Sequence, residues 1–186
     1  TAADFVNEAG EEEIADVIYH YGEERYSRRI ARGIVEARAI DPILSTAQLV
    51  GIIHKNVRRS KDGIDPATRT FMALRIQVND ELGELERGLI GAEKILAPGG
   101  RLVVVSFHSL EDRRVKSFLH ERSGATGRGS RHMPELPADA PIPSFKLIKR
   151  GAIKPSETEA SENPRARSAR LRVAERSDAP AWSNRQ

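Results

Sequence analysis

The chain has 186 residues, and its 30 Lys and Arg against 27 Asp and Glu give a net charge of +3. It has no cysteine, which excludes a disulfide framework and a thiolate metal site, and no apolar run approaches the roughly 20 residues of a membrane span. A hydrophobic fraction of 39% can form a core, so we expect a globular domain, with or without a small module. Since the first residue is Thr1 and not Met, we expect a piece of a longer protein.

Charge is distributed unevenly in the first third of the sequence. Residues 1–24 carry eight acidic side chains and no Lys or Arg, whereas residues 25–61 carry nine basic and two acidic ones. Apolar residues recur at helical spacing through 11–57, which predicts about three short helices that pack on one another. A basic stripe follows a separate face: Arg25, Arg28, Arg29 and Arg32. This stripe and the basic cluster at 58–61 could contact phosphates or form a solvated face with ion pairs, and charge alone does not separate these alternatives.

A polar linker is predicted at 58–65, and Asp65 can cap a helix that begins at Pro66. Apolar residues at spacings of three or four then continue to Leu96, which predicts one long helix that ends before the breaker at 98–100. We expect Asn79, a polar position next to the apolar stripe, to be partly buried and to orient the neighbouring loop.

The apolar run at 101–107 has the length of a strand, and it predicts a strand buried on both faces, as in a parallel sheet. Ser109 is predicted to cap the helix that follows, with Asp112 at the capping-box position. The order of helix, strand and helix indicates an α/β fold. Residues 123–143 are rich in Gly, Pro and Ser, which predicts a mobile loop.

Two weaker strand patterns follow, at 145–148 and at 168–175. Three strands are few for a stable parallel sheet, so we expect further strands upstream of Thr1. The last ten residues, which include the single Trp182, are predicted to form a frayed tail.

The polar residues around the end of the first strand form the best candidate site. They lie at the carboxyl end of a strand and at the start of a helix, where open α/β sheets bind ligands: Ser106, Phe107, His108, Ser109 and Arg113. His108 could act as a general base or could donate a hydrogen bond that orients a substrate. The alternative is that the turn only caps its helix.

A second candidate group precedes the last strand. Asn163, Arg165 and Arg167 could bind a phosphate backbone, or they could dock their loop on the edge of the sheet. The five histidines lack ligand spacing, so no metal site is expected. No Gly-rich nucleotide loop and no nucleophile elbow is recognisable in this chain.

Eight segments carry a resemblance to a known family. In order, they are YGEER at 21–25, RRIAR at 28–32, PATRTF at 66–71, ALRI at 73–76, VNDEL at 78–82, APGGRL at 97–102, SFHSLEDR at 106–113 and NPRARS at 163–168. Together they resemble the RsmH (MraW) family of bacterial S-adenosylmethionine-dependent methyltransferases, which methylate the exocyclic N4 of a cytidine in small-subunit ribosomal RNA. The similarity extends from about residue 1 to residue 176.

The resemblance implies a class I, Rossmann-like methyltransferase fold with an all-helical insert. Residues 1–65 would be most of the insert and serve substrate recognition, 66–176 would be the C-terminal half of the methyltransferase domain, and 177–186 a tail. The family's Gly-rich S-adenosylmethionine loop, its ribose-binding acid and its first active-site motif would lie upstream of Thr1. No cofactor-binding residue can therefore be named, and this chain alone is expected to be inactive.

The resemblance also implies partners and roles. The implied cofactor is S-adenosylmethionine, and the implied partners are ribosomal RNA, the small ribosomal subunit and the missing N-terminal half of the enzyme, in the cytoplasm; a homodimer is compatible with it. The implied catalytic residues are Ser106, His108 and Ser109. The implied substrate-binding residues are Phe107, Arg113, Arg25, Arg28, Arg29, Arg32, Asn79, Asn163, Arg165 and Arg167.

Two other functions stay open from the sequence. One is a non-catalytic RNA-binding or interaction module, which the missing Gly-rich loop favours and the polar turn at 106–113 disfavours. The other is a different α/β enzyme whose cofactor half lies on another chain.

Overall fold

A computed structural model of the chain describes residues 1–57, 65–125 and 141–182. The basic cluster at 58–61, nearly all of the linker at 58–65 and most of the loop predicted at 123–143 lie outside the described residues. Contacts divide the chain into two compact units, Thr1–Glu81 and Leu82–Gln186.

The first unit is helical, as the periodicity of residues 11–57 predicts. Its helices are α1 (Ala2–Glu8), α2 (Glu11–Gly22), α3 (Ser27–Arg38), α4 (Thr46–Asn56) and α5 (Pro66–Asn79). One stripe from each helix forms a continuous apolar core, with the largest wholly buried side chains at Ile14, Ile18, Ile30, Ile34, Ile53 and Leu74.

Helix α5 packs closely on α2 within this unit. A Cβ atom added to Gly22 would lie 2.8 Å from the carbonyl oxygen of Arg69, so only glycine permits this approach. The sequence placed a domain boundary between Asp65 and Pro66, whereas packing groups α5 with the preceding helices. The assignment of residues 1–65 to an insert stays a prediction.

The single long helix predicted from Pro66 to Leu96 is wrong. Asp80 adopts a left-handed conformation with φ of 48°, which ends α5 at Asn79, and a separate helix, α6 (Glu81–Ile95), follows. Asn79 is exposed, not partly buried, and its amide donates a hydrogen bond to Glu81 at 3.3 Å. Apolar spacing continued across this break, so periodicity did not reveal it.

The second unit combines helices with a small sheet, which confirms an α/β fold. After α6 come β1 (Arg101–Ser106), α7 (Ser109–Arg122), β2 (Phe145–Leu147), α8 (Glu157–Glu162), a 3-10 helix (Pro164–Ser168) and β3 (Arg170–Arg176). The strands have the order β1-β3-β2, and both pairings are antiparallel. The weak strand patterns at 145–148 and 168–175 are thereby confirmed.

Strand β1 is not buried on both faces. Leu102 and Val104 pack toward the core of α6 and α7, but Val103 and Val105 are 53% and 49% exposed. Within the described residues no layer covers this second face, and the expected parallel pairing is absent there because β1 pairs only with β3. The continuous apolar run therefore did not show that only one face of β1 packs against other described elements of the second unit.

Glu93 on α6 joins the parts of the second unit. Its side chain is wholly buried and accepts hydrogen bonds from Arg122 Nε at 3.0 Å, from the Ser144 hydroxyl and from the backbone N–H of Trp182 at 3.2 Å. Its backbone carbonyl accepts from Arg176 Nε at 3.0 Å. One carboxylate thus connects α6, α7, the start of β2 and the C-terminal segment.

The prediction of a frayed tail is wrong as far as Trp182. The Trp182 indole N–H donates to the carbonyl of Ile142 at 2.8 Å, and the Arg122 guanidinium lies 4.5 Å from the centre of its ring. Arg176 also donates to the carbonyl of Ala179 at 2.7 Å. The partners of Trp182 are distant in sequence, so local composition did not indicate that this segment is docked.

We expect Glu93→Ala to lower the free energy of unfolding by about 3–5 kcal/mol, because the change removes the buried partner of Arg122 and leaves it only the exposed carboxylate of Glu121. Urea unfolding of the purified full-length protein measures this loss. The control is Glu86→Ala, which removes a half-exposed ion pair with Arg114 and should cost less than about 1 kcal/mol. Equal losses in the two variants would contradict a stabilising role for the Glu93 network.

Candidate functional site

A pocket of about 600 Å³ lies at the carboxyl end of β1. The N-terminal turn of α7 forms one side, and the 3-10 helix and the start of β3 form the other. Its lining residues are Phe107, His108, Ser109, Asp112, Arg113, Lys116, Arg167, Ser168 and Arg170. Five of these residues were predicted from two separate segments of the sequence, and the structure brings them together: Phe107, His108, Ser109, Arg113 and Arg167.

Ser106 does not line this pocket. Its side chain is buried at the end of β1, where its hydroxyl donates to the carbonyl of Arg170 on β3 at 3.3 Å. This bond ties the last residue of β1 to the first residue of β3, which are direct partners in the sheet. Ser106 therefore bonds the sheet at the base of the site, and its predicted catalytic role stays a prediction.

The cap of α7 lies one residue before the predicted position. His108 is the capping residue, and its Nδ1 accepts from the backbone N–H of Glu111 at 3.4 Å. The Glu111 carboxylate in turn accepts from the backbone N–H groups of Phe107 and His108, at 3.0 and 3.4 Å. Ser109 is already the first helical residue, so its side chain lines the pocket instead of capping.

The cap determines which ring nitrogen of neutral His108 carries the proton. Because Nδ1 accepts a hydrogen bond, the neutral ring carries its proton on Nε2. Nε2 is buried and lies 3.3 Å from a Glu111 carboxylate oxygen, but it has no partner with hydrogen-bond geometry among the described residues. The free hydrogen-bonding capacity of the ring is therefore a donor.

Asp112 forms the strongest ion pair at the site. Its two carboxylate oxygens accept from Nε and Nη2 of Arg172 on β3, at 2.7 and 2.9 Å. The hydrogen bonds from Arg172 hold the pKa of Asp112 below its ordinary value, with smaller contributions from the charges of Arg170 and Lys116. The sequence placed Asp112 in a capping box, whereas it anchors α7 to the sheet.

Positive charge dominates the rest of the lining. Four cationic side chains surround the pocket, on α7 at Arg113 and Lys116 and on the opposite side at Arg167 and Arg170. Lys116 and Arg170 were not selected from the sequence. The available signal was spacing, since Lys116 follows Asp112 by four residues, one turn along the same face of α7.

Only part of the 163–168 group reaches the pocket. The Asn163 side chain caps the 3-10 helix and accepts from the backbone N–H of Arg165 at 3.2 Å. Arg167 lines the pocket, and Arg165 is exposed outside its lining. The observed role of Asn163 is a local cap and not docking on the edge of the sheet, and the binding alternative stays a prediction for Arg167.

The predicted basic stripe lies in the first unit. Arg28, Arg29 and Arg32 are exposed on α3, whereas Arg25 precedes the helix and places its guanidinium 4.7 Å from the ring centre of Tyr26. Arg32 is 3.8 Å from a carboxylate oxygen of Glu11. Among the described residues, Arg28 and Arg29 have no carboxylate partner.

The described residues contain no group of three or more His, Asp or Glu side chains that could hold a metal ion. None of the helices in those residues has both the length and the apolar composition needed to cross a membrane.

Comparison with known proteins gives one consistent family. The sequence profile of the MraW methylase family matches residues 1–177. Proteins named ribosomal RNA small subunit methyltransferase H are 61% identical over 182 residues in Paramagnetospirillum magneticum and 64% identical over 181 residues in Rhodospirillum centenum. The aligned regions cover 98% and 97% of this chain but 57% and 55% of those relatives. The chain therefore spans a little over half the length of the curated relatives it matches.

We expect Asp112→Asn to reduce stability by about 1–3 kcal/mol at pH 7, because the variant loses charged hydrogen bonds to Arg172. The folded pKa of Asp112 is lowered, so its contribution is present above the unfolded pKa and is lost as the pH falls through the folded pKa. The difference from the unmodified protein should therefore shrink below about pH 4. Urea unfolding at a series of pH values measures it.

The matched control for this prediction is Asp16→Asn, which removes the same charge from an exposed position on α2. Its effect should stay within about 0.5 kcal/mol. A difference for Asp112→Asn that is independent of pH would contradict the assigned role of the Arg172 ion pair.

Proposed function

This chain belongs to the MraW methylase family, and from that premise we propose a function for the protein of which it is part. That protein transfers a methyl group from S-adenosylmethionine to the exocyclic N4 amine of a cytidine in small-subunit ribosomal RNA, in the cytoplasm. The shared name of the relatives supports ribosomal RNA as the substrate. The observation that carries the proposal is the pocket after β1, which combines an exposed aromatic ring, an imidazole donor and cations.

The methyl donor supplies an electrophilic methyl group on a sulfonium. We assign its binding residues to the part of the protein upstream of Thr1, because the described pocket does not fit it. A ribose needs a carboxylate that accepts from its hydroxyls, and both candidates here are engaged. Arg172 occupies the two oxygens of Asp112, and Glu111 accepts from the backbone of the turn.

The sheet also supports the proposal that a further part of the methyltransferase domain lies upstream of Thr1. Strand β1 lies at one edge of the described sheet, and Val103 and Val105 on its uncovered face are about half exposed. Apolar side chains at a sheet edge favour pairing and covering by further elements. We therefore propose that upstream strands extend this sheet into the class I, Rossmann-like fold, and that the first unit contains the helical insert.

The chemistry sets what the pocket has to do. The N4 lone pair of cytosine is delocalised into the ring, so the amine is a weak nucleophile that must be aligned with the methyl group. To reach the pocket, the nucleotide leaves its stack. Phe107 is 57% exposed at the pocket and offers a face on which a base can stack.

We assign His108 to orienting the substrate and not to removing a proton. Its Nδ1 accepts in the cap, so Nε2–H is the donor that remains. Nε2 is buried in this structure, and the proposal requires that it becomes exposed to an acceptor on the base or ribose when the nucleotide enters the pocket. The carboxylates beside it are engaged, so the group that takes the amine proton lies outside the described pocket. Ser109 lines the same pocket and can add a second hydrogen bond.

The proposal predicts N4-methylcytidine as the product of the full-length enzyme. The assay incubates it with isotopically labelled S-adenosylmethionine and small-subunit ribosomal RNA, and mass spectrometry of the nucleosides identifies the modified base. Methylation of another base would contradict the N4 assignment. Binding of RNA without any methyl transfer would favour the non-catalytic RNA-binding module.

Two substitutions in the same assay separate catalysis from capping at His108. His108→Asn retains a good capping side chain, whereas His108→Ala does not. We expect both variants to lose about tenfold in kcat, the value of one hydrogen bond, while only His108→Ala also loses stability. Full activity of His108→Asn would show that His108 acts only as a cap.

We also propose that the exposed basic face of α3 binds RNA phosphates. Reversing Arg28 and Arg29 to Glu should weaken RNA binding at least tenfold, and should reduce the slope of log affinity against log salt concentration by about 1.4–1.8. Fluorescence titration at several salt concentrations measures both values. Reversing Lys94 and Lys146, two exposed cations of the second unit, makes the same charge change and should leave the slope unchanged. Equal effects of the two pairs would contradict a specific α3 surface.

A further inference from the structure

We propose that the pocket after β1 holds a phosphate group of the RNA strand, bound between Lys116 on α7 and Arg167 and Arg170 on the opposite side. This inference deepens the proposed function and rests on it for the identity of the RNA. It assigns a ligand to two residues, Lys116 and Arg170, that the family resemblance did not select.

The charge balance of the lining favours an anion as the ligand. Asp112 is the only acid among the lining residues, and both of its oxygens are bound to Arg172, which is not one of them. Arg172 therefore takes up most of the capacity of that carboxylate, and the lining keeps a net positive charge. Among the described residues neither Lys116 nor Arg167 forms a close ion pair with a carboxylate, although the charge of Lys116 contributes to the lowered pKa of Asp112. Cations brought together on a concave surface attract an anion.

The cations are also held from two directions. Arg170 begins β3 and pairs in the sheet with Ser106, and one of its guanidinium nitrogens donates to the carbonyl of Ala169 at 2.8 Å. Its other N–H groups stay available, because a guanidinium has five. Arg167 lies on a short helix that is anchored by buried Ala166.

Lys116 is fixed from the other side of the pocket. It lies one turn after Asp112 on α7, and the bidentate bond from Arg172 attaches that turn to the sheet. The distance across the pocket is therefore set before a ligand arrives, which lowers the cost of ordering on binding.

A phosphate is the anion that best fits these cations. A phosphate presents several acceptor oxygens in different directions, which suits two guanidinium groups and an ammonium on facing walls. The volume of about 600 Å³ lies within the usual range for ligand pockets, roughly 300–1,000 Å³. Phe107 and His108 line the same space, so a phosphate bound by the cations would leave the attached base next to them. Phosphate contacts of this kind fix the register of a nucleic acid.

The test uses the full-length enzyme with Lys116→Ala and Arg167→Ala, two exposed positions that should not affect folding. Each variant should raise the KM for ribosomal RNA about tenfold, and should reduce the salt slope of RNA binding by about 0.7–0.9. The KM for S-adenosylmethionine should not change. The control is Lys146→Ala, which removes an exposed cation on β2 outside the pocket and should leave all three values unchanged.

A small probe tests the pocket without turnover. Calorimetry should show that cytidine 5′-monophosphate binds the enzyme more tightly than cytidine, and that Arg167→Ala abolishes the difference. Equal binding of the two probes, or an Arg167→Ala variant with an unchanged salt slope, would overturn this inference and leave the proposed function intact. A raised KM for S-adenosylmethionine would overturn it by assigning the pocket to the donor's carboxylate. Failure of the enzyme to methylate ribosomal RNA would instead contradict the proposed function, while the probe titration would still decide whether the pocket binds phosphate.

Discussion

A single buried carboxylate constrains the second unit. Glu93 has no exposed surface, so its charge must be compensated by groups inside the protein. Arg122, Ser144 and the backbone of Trp182 supply that compensation from three separate parts of the chain. Any of these segments that moved away would leave the buried carboxylate with fewer hydrogen bonds. The apolar core between α6, α7 and the sheet forms beside this network, which fixes how those elements meet.

Helix α7 is attached at both of its ends, and the candidate site depends on this. Arg122, its last residue, is bound to Glu93, and Asp112 in its first turn is bound to Arg172 on β3. The His108 cap determines where the helix begins. Side chains between these two anchors have little freedom to shift along the sheet, which is what a site with facing walls requires.

Local features of the fold could be predicted from the sequence, and features made by distant partners could not. Helical spacing located the short helices of residues 11–57, and alternation located β3. The same spacing did not reveal the break between α5 and α6, because the left-handed backbone of the single residue Asp80 does not alter the periodicity of apolar residues. The docked segment ending at Trp182 was missed since its partner, Glu93, is 89 residues away. The apolar run at 101–107 correctly predicted a strand, but it did not show which of the two faces of β1 is covered by other elements.

The candidate site likewise combines local features that could be predicted with a long-range ion pair that could not. This ion pair explains the electrostatics of the pocket. Phe107, His108 and Ser109 are neighbours in sequence, so their shared position after β1 could be predicted. The pairing of Asp112 with Arg172 spans 60 residues and could not. Without that pair the lining would contain a free carboxylate, which would attract the cations around it. With Asp112 bound to Arg172 on the sheet, the ion pair that positions α7 also weakens the attraction of this carboxylate for Lys116 and Arg170. The positive character of the pocket is thus a consequence of how the helix is anchored, and a sequence pattern could suggest the basic residues but not their availability.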